Sequence, residues 1–502
     1  MSETRKLFQK FLGLLKEASS FGYASSLLRW DQLTKMPPGE AEGRAEIFAA
    51  IKAEWFKLFT SAQVGELLEK LTSKEEELGT DERLLVRRMR IIYERSKAIP
   101  PDLFRKFNIA KSRAYSVWVE AKERSNFNLF RPALQEIIEF VRQFAELYGY
   151  DKNPYDALLP DYEPGMTTDD LKRIIKPLRE KLVPYVSLLT EQPDQPDRTI
   201  LRGHFPKGRQ EELSLEALKA IGYDFTHGRL DVTEHPFTTT IGPDDTRVTT
   251  HFVFGKLAPA LFATLHEGGH ALYDQGKVPL LKWVYLDSGY SHGLHESQSR
   301  MLENMVGRSL PFWRFFYPTL QQIFPYYESI PLEGFHRAIN TVKPSPIRIY
   351  ADEVTYNLHI MFRFEIEEAL LRGEIEVKDL SEIWNEKMQN YLGILPENDA
   401  KGVLQDVHWS SGYFGYFPTY MLGNLYAAQL FKAMKSEITG LEEEIAKGNL
   451  APLLKWLRVK VHKLGLIQEG PRLLREVTGE IASSQPWLEY VEDKFSQIYG
   501  MD

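Results

Sequence analysis

The sequence predicts a mainly α-helical protein with one small β-hairpin beside its functional centre. Three observations carry that reading. First, apolar residues recur at helical spacing over most of the chain, most clearly at 101–126, 131–149, 169–190, 312–324, 350–371, 378–393, 451–463 and 484–498. Second, one stretch alone, 237–254, has the composition of paired strands. Third, the breakers Met36-Pro37-Pro38-Gly39, Asp161-Tyr162-Glu163-Pro164-Gly165 and Gln192-Pro193-Asp194-Gln195-Pro196 are too short to be flexible linkers. No internal repeat of fixed period divides the chain. A hydrophobic content of 43% over 502 residues is ample for one large core, so residues 1–502 are read as a single domain.

Taken in order, the start Met1-Ser2-Glu3-Thr4-Arg5-Lys6-Leu7-Phe8 reads as an amphipathic helix without the apolar core of a signal peptide, which suits a cytoplasmic protein. Thr167-Thr168-Asp169-Asp170 before Leu171 is a capped helix start. The hairpin runs Phe237–Ile241, turns at Gly242-Pro243-Asp244-Asp245 and returns over Thr246–Phe254, rich in Thr, Val and Phe. An extended peptide can add to such an edge as a further strand, and a small structural sheet would look the same. A helix then follows from Leu257, with Pro259 near its start and Gly276 as its stop. A further helix runs from Glu296 through Met301, Leu302, Met305 and Val306.

Bulk properties exclude several classes. A net charge of −8 and a pI near 5.9 give no reason to expect nucleic acid or an anionic membrane as partner. There is no apolar run of 18 or more residues and hence no transmembrane helix. Without cysteine there are no disulfides and no thiolate ligands. That absence, with ion-rich helical stretches at Glu75-Glu76-Glu77 and Glu442-Glu443-Glu444, fits a heat-adapted source.

The chemistry centres on His266-Glu267-Gly268-Gly269-His270, an H-E-x-x-H. Residues four apart share a helix face, so His266 and His270 can present two imidazoles to one divalent metal, zinc first and cobalt as the substitute. Glu267 beside them is the general base for the hydrolytic water. Gly268 and Gly269 each cost about 1 kcal/mol in mid-helix relative to Ala, which suggests that another backbone or the substrate passes close. A catalytic zinc takes a third protein ligand. Glu296, 26 residues after His270 and on the next helix, fits that role, with His292 and His295 as rivals. His295 can instead support the site through a hydrogen bond. Six of the chain's twelve histidines fall between His235 and His295, which argues against scattered structural histidines.

Taken together these motifs resemble the M32 metallocarboxypeptidases, the carboxypeptidase Taq group. The likeness extends along nearly the whole chain: Trp30-Asp31-Gln32-Leu33-Thr34, His235-Pro236-Phe237, Asp245-Thr246-Arg247-Val248-Thr249, the zinc motif, His295-Glu296-Ser297-Gln298, Ile347-Arg348-Ile349-Tyr350-Ala351-Asp352 and Gly402-Val403-Leu404-Gln405-Asp406-Val407-His408-Trp409. The resemblance implies a helical fold like that of neurolysin and the angiotensin-converting enzymes, with a deep groove between two halves. It further implies a homodimer and broad release of single residues from the free C-termini of peptides.

A carboxypeptidase must hold its substrate's carboxylate, and a bidentate arginine does this best. Arg348, placed at the opening of a helix, is the first candidate and Arg247 the second; the alternative for Arg348 is an ordinary salt bridge, for instance with Asp352 four residues on, which could also hold the fork in place. His408, Tyr416 and Tyr420 are candidates for the oxyanion donor. Asp245 and Arg247 at the hairpin turn suit the end wall of the groove. His235 and Gln405-Asp406 suit supporting positions. Without the resemblance, the zinc motif equally suits an endopeptidase of the neurolysin type. An aminopeptidase is disfavoured because no G-x-M-x-N precedes the motif helix. A helical scaffold with a structural metal would need a fourth protein ligand and would have no use for Glu267.

Overall fold

The computed structural model describes residues 2–285, 290–463 and 465–501. Helices dominate, and among the described residues one sheet of three strands stands out. The chain opens with a long helix, Glu3–Thr34, capped by Ser2 and packed against Ala41–Phe59. A second antiparallel pair, Pro101–Glu123 and Phe127–Tyr148, follows. Thr167 caps Thr168–Thr190 through a reciprocal box with Asp170, as the sequence predicts. No helix is long and apolar enough to cross a membrane among the described residues.

The sheet holds β1 (Leu230–Val232), β2 (Thr238–Gly242) and β3 (Asp245–Thr250) in the order β1-β3-β2. β2 and β3 form the expected hairpin, with Thr238 opposite Val248 and Thr240 opposite Thr246. β1 runs parallel to β3 and was not legible in the sequence, because three residues are too few to show a period. The return strand also ends at Thr250 rather than Phe254, which is 90% exposed.

Around the sheet lie the elements that build the site. The motif helix, Ala258–Gln275, packs on β3 and on Lys207–Ala220. The ligand helix, His292–Arg300, is capped by Ser291 and begins four residues before the expected start at Glu296. It runs on into a π-turn, Met301–Val306. The covering helix, Pro418–Glu437, lies across the ligand helix in the most extensive helix pairing of the fold.

Three other expectations are corrected. Arg348 does not open a helix: it sits in a single 3₁₀ turn, Arg348–Tyr350, and the helix starts only at Tyr356. The reason lies in Asp352, whose carboxylate accepts the backbone N–H groups of Val354 and Thr355 and so turns the chain before the helix begins. Glu75-Glu76-Glu77 likewise forms a 3₁₀ turn, and 451–463 divides into an α-helix, Ala451–Leu457, and a π-turn, Arg458–His462.

The paired glycines mark two close approaches. A Cβ on Gly268 would fall 2.6 Å from Ile221 Cδ1 and 2.8 Å from Leu218 Cδ2. On Gly269 it would fall 2.5 Å from the Gln298 carbonyl oxygen and 2.6 Å from Ser299 Cα. The ligand helix therefore crosses the motif helix backbone to backbone at Gly269. Gly269→Ala is expected to destabilise the protein by about 1–3 kcal/mol, because main chain cannot rotate away as a side chain can. Gly13→Ala, exposed and with nothing within 4 Å, should instead stabilise by up to about 1 kcal/mol. Thermal melts of the two variants test this, and a Gly269→Ala melt at or above the parent's would show that the crossing relaxes freely.

Candidate active site and metal centre

The crossing at Gly269 brings Glu296 opposite the two motif histidines. His266, His270 and Glu296 form a cluster whose donor atoms all lie within 4.8 Å of one another. His266 Nε2 is 3.6 Å and His270 Nε2 3.3 Å from Glu296 Oε2. Behind Glu296, the covering helix approaches so closely at Gly423 that a Cβ there would collide with the Glu296 side chain.

Each donor is oriented from behind. His266 Nδ1 is 2.9 Å from Glu303 Oε2; a carboxylate only accepts, so Nδ1 carries the proton and Nε2 keeps its lone pair. His270 Nδ1 is 2.6 Å from His295 Nδ1, and His295 Nε2 faces Asp274 Oδ1 at 3.9 Å. A proton on His270 Nδ1 donates to His295, which turns its own N–H toward Asp274 and leaves His270 Nε2 as a ligand atom. Arg300 Nε donates to Glu296 Oε1 at 2.7 Å, while its Nη1 reaches Glu303 Oε2 at 3.2 Å; Glu296 Oε2 accepts only a long bond from Ser299 Oγ at 3.4 Å and faces the two imidazoles. Two imidazole nitrogens and one carboxylate oxygen, each braced in this way, are a donor set that fits a divalent transition metal with an open position.

Titration behaviour follows the same contacts. Burial pulls His270 down to about 4, with the neighbouring His295 adding to it, so its imidazole is neutral. Burial also pushes His266 down, but the Glu296 charge and the Glu303 hydrogen bond outweigh it and its pKa is raised. Burial raises Glu296, yet Arg300 and the two imidazoles hold it well below the ordinary carboxylate range. Glu267 is raised by burial; its carboxylate accepts a hydrogen bond from Thr238 at 2.8 Å.

His292 and His295 do not join the ligand set. His292 lies edge-on to the rings of Tyr162 and Tyr416, which also touch each other, and is drawn down to about 3 by burial. The ligand helix that carries both histidines is fixed at its start by Glu163, which accepts from Ser291 Oγ at 2.7 Å, Gly293 N at 2.8 Å and Tyr426 OH at 3.1 Å.

A second group of candidates gathers around Asp406. Arg348 donates to it through Nε and Nη2 at 3.1 and 2.9 Å, and through Nη1 to Tyr356 OH at 2.9 Å. The alternative salt bridge of Arg348 is with Asp406 and not with Asp352, whose carboxylate is engaged with backbone. Gln405 and Asp406 are supports, as the sequence suggests: Gln405 Oε1 accepts the Arg348 backbone N–H and Arg363 Nη2 lies 2.7 Å from Asp406 Oδ2. The guanidinium of Arg348 sits 4.8 Å from the centre of the Tyr420 ring. Tyr420 OH lies 3.3 Å from His408 Nε2, and the ring of Tyr416 packs against both residues. Burial lowers His408 to about 3, so it is a neutral imidazole. Tyr356 joins the two groups, with its hydroxyl on Arg348 and its ring 4.3 Å from the Arg300 guanidinium.

The remaining candidates stand apart. Asp245 and Arg247 pair with each other at 2.9 Å on β3, and Arg247 stacks on Trp30 of the first helix at 4.3 Å. His235 is exposed in the segment between β1 and β2.

Sequence reasoning missed Thr238, Arg300, Glu303, Tyr356, Gly423 and Glu163. Arg300 and Glu303 carried a signal, since they follow Glu296 at i+4 and i+7 on one helix face. The others meet the site through long-range packing that no local spacing announces.

Comparison with known proteins agrees with this geometry. The family model described as carboxypeptidase Taq (M32) metallopeptidase matches residues 10–495. Carboxypeptidase 1 of Bacillus subtilis is 41% identical over 492 residues, covering 98% of both chains. Thermostable carboxypeptidase 1 of Thermus thermophilus is 41% identical over 505 residues, covering 98% of this chain and 99% of its own. The crystal structure of the M32 carboxypeptidase from Deinococcus radiodurans superposes with a TM-score of 0.96 at 34% identity, covering 99% of this chain and 100% of the other.

Proposed function

This chain belongs to the carboxypeptidase Taq (M32) metallopeptidase family and is a metallocarboxypeptidase, and on that premise we propose how its residues divide the work. His266 and His270 through Nε2 and Glu296 through Oε2 hold one divalent metal, zinc by preference, with cobalt accepted by the same donors. Such an ion, when bound, supplies Lewis acidity toward the scissile carbonyl and the hydrolytic water. Glu267 takes the proton from that water and passes it to the leaving amine. His408, Tyr416 and Tyr420 form the group from which a neutral donor meets the developing oxyanion. Arg348, held by Asp406 and Tyr356, receives the terminal carboxylate of the substrate. Asp245 and Arg247 close the end of the groove, and His235 supports the loop before β2.

The substrates on this reading are peptides with a free C-terminus, shortened one residue at a time with broad side-chain tolerance. The chain acts as one peptidase unit, residues 1–502, assembled as a homodimer in the cytoplasm. The observation that carries the proposal is the compact His-His-Glu donor set with Glu267 on the same helix.

Dialysis against a chelator should remove activity on an N-blocked peptide, and added zinc should restore it. The same peptide amidated at its C-terminus should be cut at least about a hundredfold more slowly, the factor that about 2.7 kcal/mol of lost charge-assisted binding produces. Equal internal cleavage of both forms would overturn the exopeptidase reading in favour of an endopeptidase. Full activity in metal-free protein would overturn the metal site.

A further inference from the structure

β2 lays two threonines, Thr238 and Thr240, on one face of the strand, and each grips a different part of the metal centre. Thr240 Oγ1 donates to Asp274 Oδ2 at 2.7 Å, the carboxylate that stands behind His295 and His270. Thr238 Oγ1 lies 2.8 Å from Glu267 Oε2 and also 2.8 Å from the Glu267 carbonyl oxygen. A hydroxyl has one proton to give, and an ionised carboxylate is the stronger acceptor. The donor cannot drift. Phe237, the residue before it, gives its N–H to Thr249 Oγ1 at 2.8 Å and accepts the Thr249 N–H at 3.0 Å. Thr238 itself pairs with Val248.

We propose that Thr238 is a positioning residue for the catalytic base: its hydroxyl holds the Glu267 carboxylate in one orientation and ties it to the hairpin strand. This rests on the reading of Glu267 as the base. A glutamate side chain turns about several bonds, and one fixed oxygen leaves the other in a defined place for proton transfer. Because the same strand also reaches His270 through Thr240, Asp274 and His295, β2 sets the base and one metal ligand against a common frame.

The test compares metal-loaded Thr238→Val, which keeps the shape and removes the hydroxyl, with Thr238→Ser, which keeps the hydroxyl. Thr239→Val, on the opposite face of the strand, is the control. Thr238→Val is expected to lower kcat by on the order of ten- to a hundredfold, the range for losing one hydrogen bond to a charged group. KM should stay within about twofold and metal content should stay full, since neither substrate nor ligand loses a contact. Thr238→Ser should recover most of kcat, and Thr239→Val should match the parent. In a Glu267→Gln background, Thr238→Val should add no more than about a twofold loss, because its effect passes through the carboxylate. Parental kcat in Thr238→Val, a serine variant as slow as the valine one, loss of metal from the valine variant, or full additivity with Glu267→Gln would each overturn the proposal. Failure of the base reading shows separately, as an active Glu267→Gln enzyme whatever stands at 238.

Discussion

Glu267→Gln is expected to lower kcat by at least about a thousandfold while leaving metal content and fold intact. Glutamine keeps the length and shape of the side chain, and its amide oxygen can still accept from Thr238 Oγ1, which lies 2.8 Å from the carboxylate. None of the three proposed metal donors is altered, so the protein should still take up one ion per chain. What disappears is a group able to accept a proton and return it, a contribution worth about 10²–10⁴ in rate by itself and more when one residue serves both halves of the reaction. The fold should not suffer. Glu267 is 8% exposed and its pKa is raised by burial, so a neutral isostere removes a charge that the site holds at a cost. The measurement is steady-state kinetics on a free-acid peptide, paired with metal analysis and a thermal melt. A kcat within tenfold of the parent would remove Glu267 from the mechanism. Loss of metal would mean that it is a ligand.

The division between what the sequence announced and what it hid follows the range of the interactions. His266, Glu267 and His270 are legible because an i, i+4 relation is fixed by helix geometry alone, whatever surrounds it. Glu296 is legible at one remove, since a third ligand is required by the metal and the next helix offers a carboxylate. Gly268 and Gly269 were legible as an anomaly, a propensity cost that needed a neighbour; the neighbours prove to be Leu218 with Ile221 and the backbone at Gln298 and Ser299. Arg348 shows the opposite case. It could be singled out as a candidate, but its local setting could not be read. The helical period around it suggested a helix start and a partner four residues on, and both gave way to side-chain bonds. Asp352 spends its carboxylate on backbone N–H groups, and Asp406, 58 residues away, takes the guanidinium. Polar residues that can bond to nearby backbone are where periodicity misleads, because those bonds compete with the helix. Glu163 and Gly423 were invisible for another reason. Their roles exist only once distant segments have packed, Glu163 on Ser291 and Gly423 on Glu296.

Arg348→Ala is expected to lower kcat/KM on free-acid peptides by on the order of a hundred- to a thousandfold, and to abolish the preference for a free acid over an amide. A guanidinium has five N–H groups in a fixed plane. In Arg348, Nε and one N–H of Nη2 are given to Asp406, and one N–H of Nη1 to Tyr356. One N–H on each terminal nitrogen is left over, which is the pattern that takes a carboxylate in two parallel bonds. Losing such a pair costs about 2–5 kcal/mol when it is desolvated. The variant should still fold, because Asp406 keeps Arg363, whose Nη2 lies 2.7 Å from Oδ2. It should also still bind metal, because among the described residues Arg348 touches none of His266, His270 and Glu296 directly and reaches Glu296 through Tyr356 and Arg300. Arg348→Lys separates charge from geometry: a lysine restores one positive charge near Asp406 but cannot present two coplanar donors, so it should recover only part of the lost kcat/KM. The two peptides, free acid and amide, assayed against all three proteins supply the measurement, with metal content as the control. A preference for the free acid that survives in Arg348→Ala would move the carboxylate to another cation, with Arg247 the next to test. Loss of metal in that variant would show that the Tyr356–Arg300 connection carries structural load to Glu296, and that Arg348 acts on the metal centre instead of on the substrate.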